Sequence, residues 1–537
     1  MNDTLAAHPG RFYLTCAIDY VNGAPHLGHA YEKIGADAVV RWRAQRGDDV
    51  RFTVGSDEHS QSVLRAALAE GLDVETYTER QKSLFEDAFA RLDIGYTAYV
   101  RTSGEANRRT TERVMQLVHD NGHLYKGLYS AWFCPSCERF YTDKELVDGC
   151  CPVHHSAVEW VEEENWFFRL SSFQDALLKH FEENPEFLTP ASRRNEMLNV
   201  IRGGLEDISV SRAFSDWGFR LPFDQSQVVY VWFDALLAYV TGVGYADPDD
   251  PDTFDRFWPA DVHVIGKDIT RFHTVMWPAM LMGAGLPLPN RVHSHGFVTL
   301  QGRKMSKSSG VGVDPFELAE RFGSDAVRYV LLAEVPFDRD GDFSLDTFVD
   351  RYNADLANDY GNLVSRTEKM VARYFDGRVP AEGRREPDDD ALCATARESV
   401  DAYEAAMANL DLSEGISAAQ RLVAHANRSV EVAKPWELHK AGDDRLGTVV
   451  RGLLEAIRVA TLLLYPFAPR AAAKVADDLG IDVRRASVEE LRRCDALTTG
   501  APVAVGSILF PRLDREAVVA EVESEEGVAA PARTSQG

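Results

Sequence analysis

Three patterns in the 537 residues predict a parallel-sheet α/β domain, split by an insertion with a zinc knuckle and followed by an α-helical bundle. A β run, a polar turn and a helix-spaced run follow one another within residues 11–47. A C-x2-C block is followed by C-x2-H between residues 134 and 154. From Tyr352 onward the chain changes to long apolar stripes at helical spacing.

Residues 11–18 are rich in aromatic and β-branched side chains, Asn22-Gly23-Ala24-Pro25 breaks the run, and Tyr31, Ile34, Ala38 and Trp42 recur at helical offsets. A parallel strand therefore hands over to a helix N-terminus, whose unpaired N–H groups and dipole attract phosphate. His26 and His29, with Gly28 between them, fall at that junction, where two imidazoles can donate hydrogen bonds to a phosphorane. Taken alone, H-x-G-H also reads as chance or as a metal pair. A second stretch, GRKMSKSSG at residues 302–310, favours phosphate: it places Lys304 and Lys307 in a small-residue loop just after a β run ending at Leu300. Lysines there can close over a triphosphate as charge develops during in-line attack.

Residues 50–55 read as a second buried strand ending in Ser56-Asp57-Glu58-His59, and polar groups at a strand's carboxyl end suit the crevice of an open α/β sheet. Asp57 is placed to hold a substrate ammonium group; an exposed acidic turn is the competing reading. Helical patterns follow at 61–92 and 105–121. Cys134, Cys137, Cys151 and His154 then supply four ligands at a spacing that suits tetrahedral zinc, with Cys150 and His155 as alternatives on the second side. Four protein ligands leave no position for substrate, so this zinc is expected to be structural.

Past the insertion, Trp232, Ala235, Leu236 and Tyr239 share one helical face, either packed core or the wall of a pocket for an apolar, unbranched side chain. A short strand at 262–265 leads to Gly266-Lys267-Asp268, where a carboxylate could bind ribose hydroxyls. His273, taken alone, reads as a core histidine. Residues 291–300 read as the strand that delivers the lysine loop, 314–330 as helix with a turn at Gly323, and 338–343 as a polar loop. Within the bundle, 382–390 reads as an acidic linker, and the tail at 516–537 is expected to be disordered.

Composition bounds the function. No basic region followed by an apolar one opens the chain, and the apolar window at 228–244 is interrupted by Asp234, so a cytoplasmic protein with no membrane span is expected. Seven cysteines without a secretory signal argue against a disulfide framework. A net charge of −26 argues against general affinity for polyanions, so any nucleic-acid contact has to be local.

The H-L-G-H and K-M-S-K-S motifs, in this order, resemble the two halves of a class I aminoacyl-tRNA synthetase active site. CAIDYVNGAPHLGHAY, VGSDEH, FCPSCERFYTDKEL with CPVH, EDISVSR, YVWFDALLAY, IGKDITRFH, RYNADLANDYGNLVSR and KPWEL sharpen that resemblance, over residues 10–515, to the methionyl-tRNA synthetases. It implies Rossmann-type catalytic halves at 1–118 and 226–320, a connective insertion at 119–225, a stem-contact linker at 321–350 and an anticodon-binding bundle at 351–515. The partners it implies are ATP with Mg2+, L-methionine and tRNA(Met), with one structural Zn2+. No OB-type domain follows the bundle, so a monomer is expected.

By the same resemblance, His26, Gly28, His29, Lys304 and Lys307 handle the ATP phosphates, and Arg212 lies near the same charge. Gly266, Asp268 and Val298 contact the adenosine. Ile18, Tyr20, Asp57, Trp232, Ala235, Leu236, Tyr239 and His273 form the methionine pocket, with Asp57 on the α-amino group. Asn362, Arg366 and Trp436 read the anticodon, where unstacked bases can be stacked and hydrogen-bonded. Independently of the resemblance, the net charge leaves Arg193, Arg194, Arg202, Arg328, Arg351 and Arg366 as a local basic track for RNA, with arginines scattered on a solvated acidic surface as the competing reading. Three departures touch the pocket: Ser60 stands where glycine is usual, Asp19 where an uncharged residue is usual, and Met276 in place of an aromatic residue.

Overall fold

The computed structural model describes residues 10–135, 139–141, 143–153, 155–213, 217–300, 303–304 and 314–518. Cys137, His154 and Lys307 lie outside the described residues, as does 519–537 of the acidic tail; Lys304 is described by its backbone, in the short strand Arg303–Lys304.

Strands β1 (Arg11–Cys16), β2 (Asp19–Tyr20), β3 (Asp49–Asp57) and β4 (Ala98–Arg101) join Val262–Gly266, Val292–His295 and Leu188–Thr189 in a seven-stranded sheet whose pairings are all parallel. β1 pairs with β3 on one side and with Val262–Gly266 on the other. The order of connection therefore reverses beside β1, and in such sheets ligands bind outside the carboxyl ends of the strands at that switch point. Helix α1 (Leu27–Gln45) leaves from there. The helical pattern at 61–92 resolves into α2 (Gln61–Ala69) and α3 (Val74–Arg91), separated by Gly71 at φ +70° and the Asp73 N-cap; α4 spans Glu105–Asp120.

The insertion forms a four-stranded antiparallel sheet in which Leu124–Cys134 pairs along its length with Glu159–Phe168, flanked by Arg139–Tyr141 and Ile208–Ser209. Two sequence expectations change. Residues 291–300 are two strands: Val292–His295 belongs to the parallel sheet, whereas Val298–Leu300 pairs with Arg303–Lys304 and with Gly341–Asp342. Gly296 divides them, because a Cβ there would meet the Arg339 carbonyl carbon at 2.0 Å. The acidic stretch is a connection only over 382–386: Asp388, Asp389 and Asp390 already form the first turn of helix Pro387–Ala408, where the helix dipole favours carboxylates.

One continuous apolar core joins a face of the parallel sheet to the bundle. α1 spans that junction: Gln45 Nε2 near its C-terminus donates to Leu462 O at 3.0 Å and Val483 O at 2.8 Å. Arg328 is fully buried there, donating to Asp37 Oδ2 at 2.6 Å and Pro466 O at 2.8 Å, so it is an internal clamp and no part of an RNA-facing track. Against the expectation from composition, Cys393 and Cys494 form a disulfide, with Cα atoms 5.9 Å apart. Among the described residues, no helix is long and apolar enough to cross a membrane.

Candidate active site

The turn after β2 places His26 and His29 as reciprocal caps of α1. Gly28 N–H donates to His26 Nδ1 at 3.1 Å, and His26 N–H donates to His29 Nδ1 at 3.1 Å. Capping residues accept hydrogen bonds from the unpaired N–H groups of a helix start. Because each Nδ1 is an acceptor, each neutral ring carries its proton on Nε2, which suits both rings to donate to an anion. The rings stack with centroids 3.8 Å apart. A Cβ on Gly28 would meet His26 Cε1 at 3.0 Å, so the small residue leaves the imidazole its place.

These residues open into a cavity of about 420 Å³ at the carboxyl ends of the strands. His26, Gly28, His29, Gly266, Asp268 and Val298 line it, together with Ile18, Tyr20, Asp57, Trp232, Ala235, Leu236, Tyr239 and His273. Asp57 is 3% exposed, at the end of β3 and in register with Tyr20 of β2. Trp232 stacks on Phe272 at 3.7 Å and meets Tyr20 edge-on at 6.0 Å. Behind them Tyr239 Oη lies 2.6 Å from His273 Nε2, while His273 Nδ1 faces Ile269 O at 3.0 Å. The carbonyl can only accept, so Nδ1 carries the proton and Tyr239 donates to Nε2. Burial pushes His273 down to about 4, leaving a neutral ring at the floor of the cavity.

Sequence reasoning missed Phe272, Glu32 and His295, and it did not anticipate what Asp19 contacts. Phe272 and His273 belong to a π-helical turn, Phe272–Met276, whose side-chain register departs from helical spacing. Glu32 lies three residues after His29, a helical neighbour that the motif itself pointed to. Lys33 Nζ, fully buried, reaches Asp19 Oδ1 at 2.5 Å and Glu32 Oε1 at 2.8 Å; Glu32 Oε2 meets His295 Nε2 at 3.0 Å. Burial raises Glu32, but Lys33 and His295 outweigh it and hold the carboxyl below its ordinary value.

Arg212 is placed elsewhere, in an adjoining cavity of about 360 Å³ that shares Asp268 with the first. Its guanidinium lies over the Tyr230 ring at 4.0 Å and donates to Ser209 Oγ at 2.8 Å. Met276 lines this second cavity and not the first. Ser60 is the N-cap of α2, accepting from Val63 N–H at 3.1 Å.

In the insertion, Cys134 and Cys151 are both buried in one small cluster with Tyr141, and neither is disulfide-bonded. Two buried thiols, one at the end of strand Leu124–Cys134 and one in the loop that precedes Glu159–Phe168, fit half of a tetrahedral zinc set; Cys150 is half-buried and lies in bridge pairings with Val147 and Ala157. No cluster of three or more metal-ligating side chains occurs among the described residues. In the bundle, Asn362 opens helix Asn362–Tyr374, and Arg366 on the same helix pairs with Glu431 Oε1 at 2.9 Å. Trp436 lies on the neighbouring helix Pro435–Ala441, joined to the first by the stacking of Tyr374 on His439 at 4.2 Å.

Known proteins share this fold. The family model described as tRNA synthetases class I (M) matches residues 12–159 and 144–368, and that for the anticodon binding domain of methionyl tRNA ligase matches 379–527. The methionine–tRNA ligase of Caldanaerobacter subterraneus subsp. tengcongensis is 43% identical over 516 residues, 96% of this chain and 81% of its own length. That of Brucella suis is 41% identical over 506 residues, 94% of this chain and 98% of its own. The Mycobacterium tuberculosis methionyl-tRNA synthetase in complex with methionyl-adenylate superposes with a TM-score of 0.89 at 40% identity, over 94% of this chain and 100% of that one.

Proposed function

The chain belongs to the class I methionyl-tRNA synthetases, and from that premise we propose how its cavity performs their reaction. The chain activates L-methionine with ATP to methionyl-adenylate and pyrophosphate, then transfers methionine to the 3′-terminal ribose of tRNA(Met). The observation that carries our assignment of roles is that the capped histidines, the buried Asp57 carboxylate and the Tyr239–His273 pair line one cavity.

Asp57 holds the α-ammonium of methionine. Trp232, Tyr20, Ala235 and Leu236 enclose its side chain, and a polarisable thioether gains from contact with the aromatic rings. The methionine carboxylate attacks the α-phosphate in line while His26 and His29 donate from Nε2 to phosphate oxygens, and Gly266, Asp268 and Val298 hold the adenosine. Lys304 and Lys307 add positive charge as pyrophosphate leaves, and Arg212 contributes from the adjoining cavity. No protein nucleophile is required, since positioning and charge stabilisation are sufficient. Mg2+ accompanies ATP as part of the substrate. Asn362, Arg366 and Trp436 read the anticodon, with Arg366 exchanging Glu431 for RNA. Cys134, Cys137, Cys151 and His154 hold one zinc that braces the insertion, the cytoplasm is the site of action, and the working unit is a monomer.

Methionine-dependent ATP–pyrophosphate exchange, followed by charging of initiator and elongator tRNA(Met), tests the assignment of roles through two variants. Asp57→Asn raises the methionine KM with the ATP KM little changed, and Trp436→Ala lowers charging while leaving exchange intact. An unchanged methionine KM in Asp57→Asn overturns the ammonium assignment; unchanged charging in Trp436→Ala overturns the anticodon assignment.

A further inference from the structure

The roles above leave Asp19 without one, although it is buried in the cavity wall at 5% exposure. Its Oδ1 takes Lys33 Nζ at 2.5 Å and lies 3.8 Å from His29 Nε2, while its Oδ2 is buried with no hydrogen-bond partner among the described residues. A buried carboxylate oxygen without a partner is costly and calls for an explanation. Lys33 is held in turn by Ala17 O at 2.9 Å and by Glu32, which continues to His295. Side chains in contact thus run beneath the phosphate end of the cavity from His29 to His295.

We propose that Asp19 is a positioning residue for adenylate formation: its carboxylate, anchored by Lys33, keeps the Nε2–H edge of His29 turned toward the cavity. This inference rests on His29 acting as a phosphate ligand. The backbone N–H of His26 already occupies Nδ1, so the proton of the neutral His29 ring sits on the atom that faces Asp19. A lone carboxylate so close to a triphosphate would repel it; Lys33 cancels that charge, so Asp19 can orient the imidazole without excluding ATP.

The groups facing Asp19 are Cys16 of β1, Glu32, Lys33 and His29 of α1, Tyr99 of β4 and Tyr239 of helix Val231–Thr241. Burial pushes the Cys16, Tyr99 and Tyr239 groups up, so they stay neutral near pH 7. Lys33 and Glu32 keep their charges, and burial, reinforced by Glu32 and opposed by Lys33, pushes Asp19 up to about 7. The carboxylate that orients His29 is therefore present above neutrality and lost below it.

The test is the pH profile of methionine-dependent ATP–pyrophosphate exchange in the full chain, from about pH 5.5 to 9, for the parent, Asp19→Asn, the double variant Asp19→Ala/Lys33→Leu, and His29→Ala. In the parent, kcat rises through an ionisation near pH 7. In Asp19→Asn that ionisation disappears and kcat at pH 8 falls about tenfold, with the methionine KM within about twofold. The double variant removes both buried charges, and so decides the matter should Asp19→Asn fail to fold; it too lacks the ionisation and the rate. An unaltered ionisation and kcat in Asp19→Asn, or full recovery of both in the double variant, overturns the inference and leaves Asp19 as a counter-ion for Lys33. Undiminished exchange in His29→Ala would instead overturn the phosphate role of His29 on which it rests.

Discussion

At the scale of the residue, the histidine motif is a capping device, whatever else it does in the role proposed for it. The same hydrogen bonds that start α1 fix the tautomer of both rings, which ties a folding requirement to the chemistry. Gly28→Ala tests this tie, because its Cβ would stand 3.0 Å from His26 Cε1. Exchange activity falls about tenfold or more through a displaced imidazole, while the thermal midpoint shifts little. The end of the cavity proposed to hold methionine depends on Tyr239 in the same way. Tyr239→Phe deprives the buried His273 Nε2 of its donor, and the methionine KM rises about tenfold, the cost of an unpaired buried acceptor, with kcat much less affected. Because His273 titrates only near 4, the methionine KM contains no contribution from that ring between pH 6 and 8.

At the scale of the element, polar residues inside apolar runs are explained by their partners. Asp234, which interrupts the apolar window at 228–244, is 1% exposed and pairs with His59 Nδ1 at 2.5 Å, Asn107 Nδ2 at 2.7 Å and Thr111 Oγ1 at 3.0 Å. This network holds the pocket-wall helix against α4 and the end of β3. Glu368, in helix Asn362–Tyr374, is less well served: Oε2 accepts from Gly506 N–H at 2.9 Å, and Oε1 is buried with no hydrogen-bond partner among the described residues. Burial, with Asp478 nearby, pushes it up to about 7. Its folded-state value lies above the unfolded one, so the stability it allows is full at pH below the unfolded value and falls as pH rises through about 7. Glu368→Gln accordingly raises the unfolding midpoint at pH 8 more than at pH 5, as calorimetry at the two values would show.

At the scale of the whole molecule, α1 links the histidine-lined end of the cavity to the bundle. Arg328 locks that link from the side. Burial pushes the Asp37 carboxyl up, but Arg328 and Arg41 together outweigh it and hold it below its ordinary range. Removing one member of a buried pair leaves an uncompensated charge, so Arg328→Met costs about 3–5 kcal/mol of stability. The double variant Arg328→Met/Asp37→Asn recovers part of that loss, because the two changes share one interaction. Denaturant unfolding of the two variants measures both effects, and equal destabilisation by single and double variants would count against the clamp.

Much of this was legible in the sequence, for a physical reason. Strand, turn and helix around His26 and His29 are local patterns, set by side-chain periodicity and turn residues within about twenty positions. So are the zinc spacing and the helical stripes of the bundle. His26, His29, Asp57 and Asp268 are legible because their motifs end strands of a parallel sheet, and such ends converge; most of the other residues collected in the cavity are named by the family resemblance. What tertiary structure alone decided depends on segments far apart in the chain. The split of residues 291–300 follows from the Arg339 backbone crossing at Gly296. The burial of Arg328 follows from Asp37 and Pro466 meeting it from either side, and the Cys393–Cys494 bond joins residues 101 positions apart. Asp19 reads in sequence as an isolated departure, and its partners Lys33 and His29 face it only because β2 lies against α1. Short-range periodicity determines elements and where they start; which charges share a buried space is set by packing, and that no local pattern encodes.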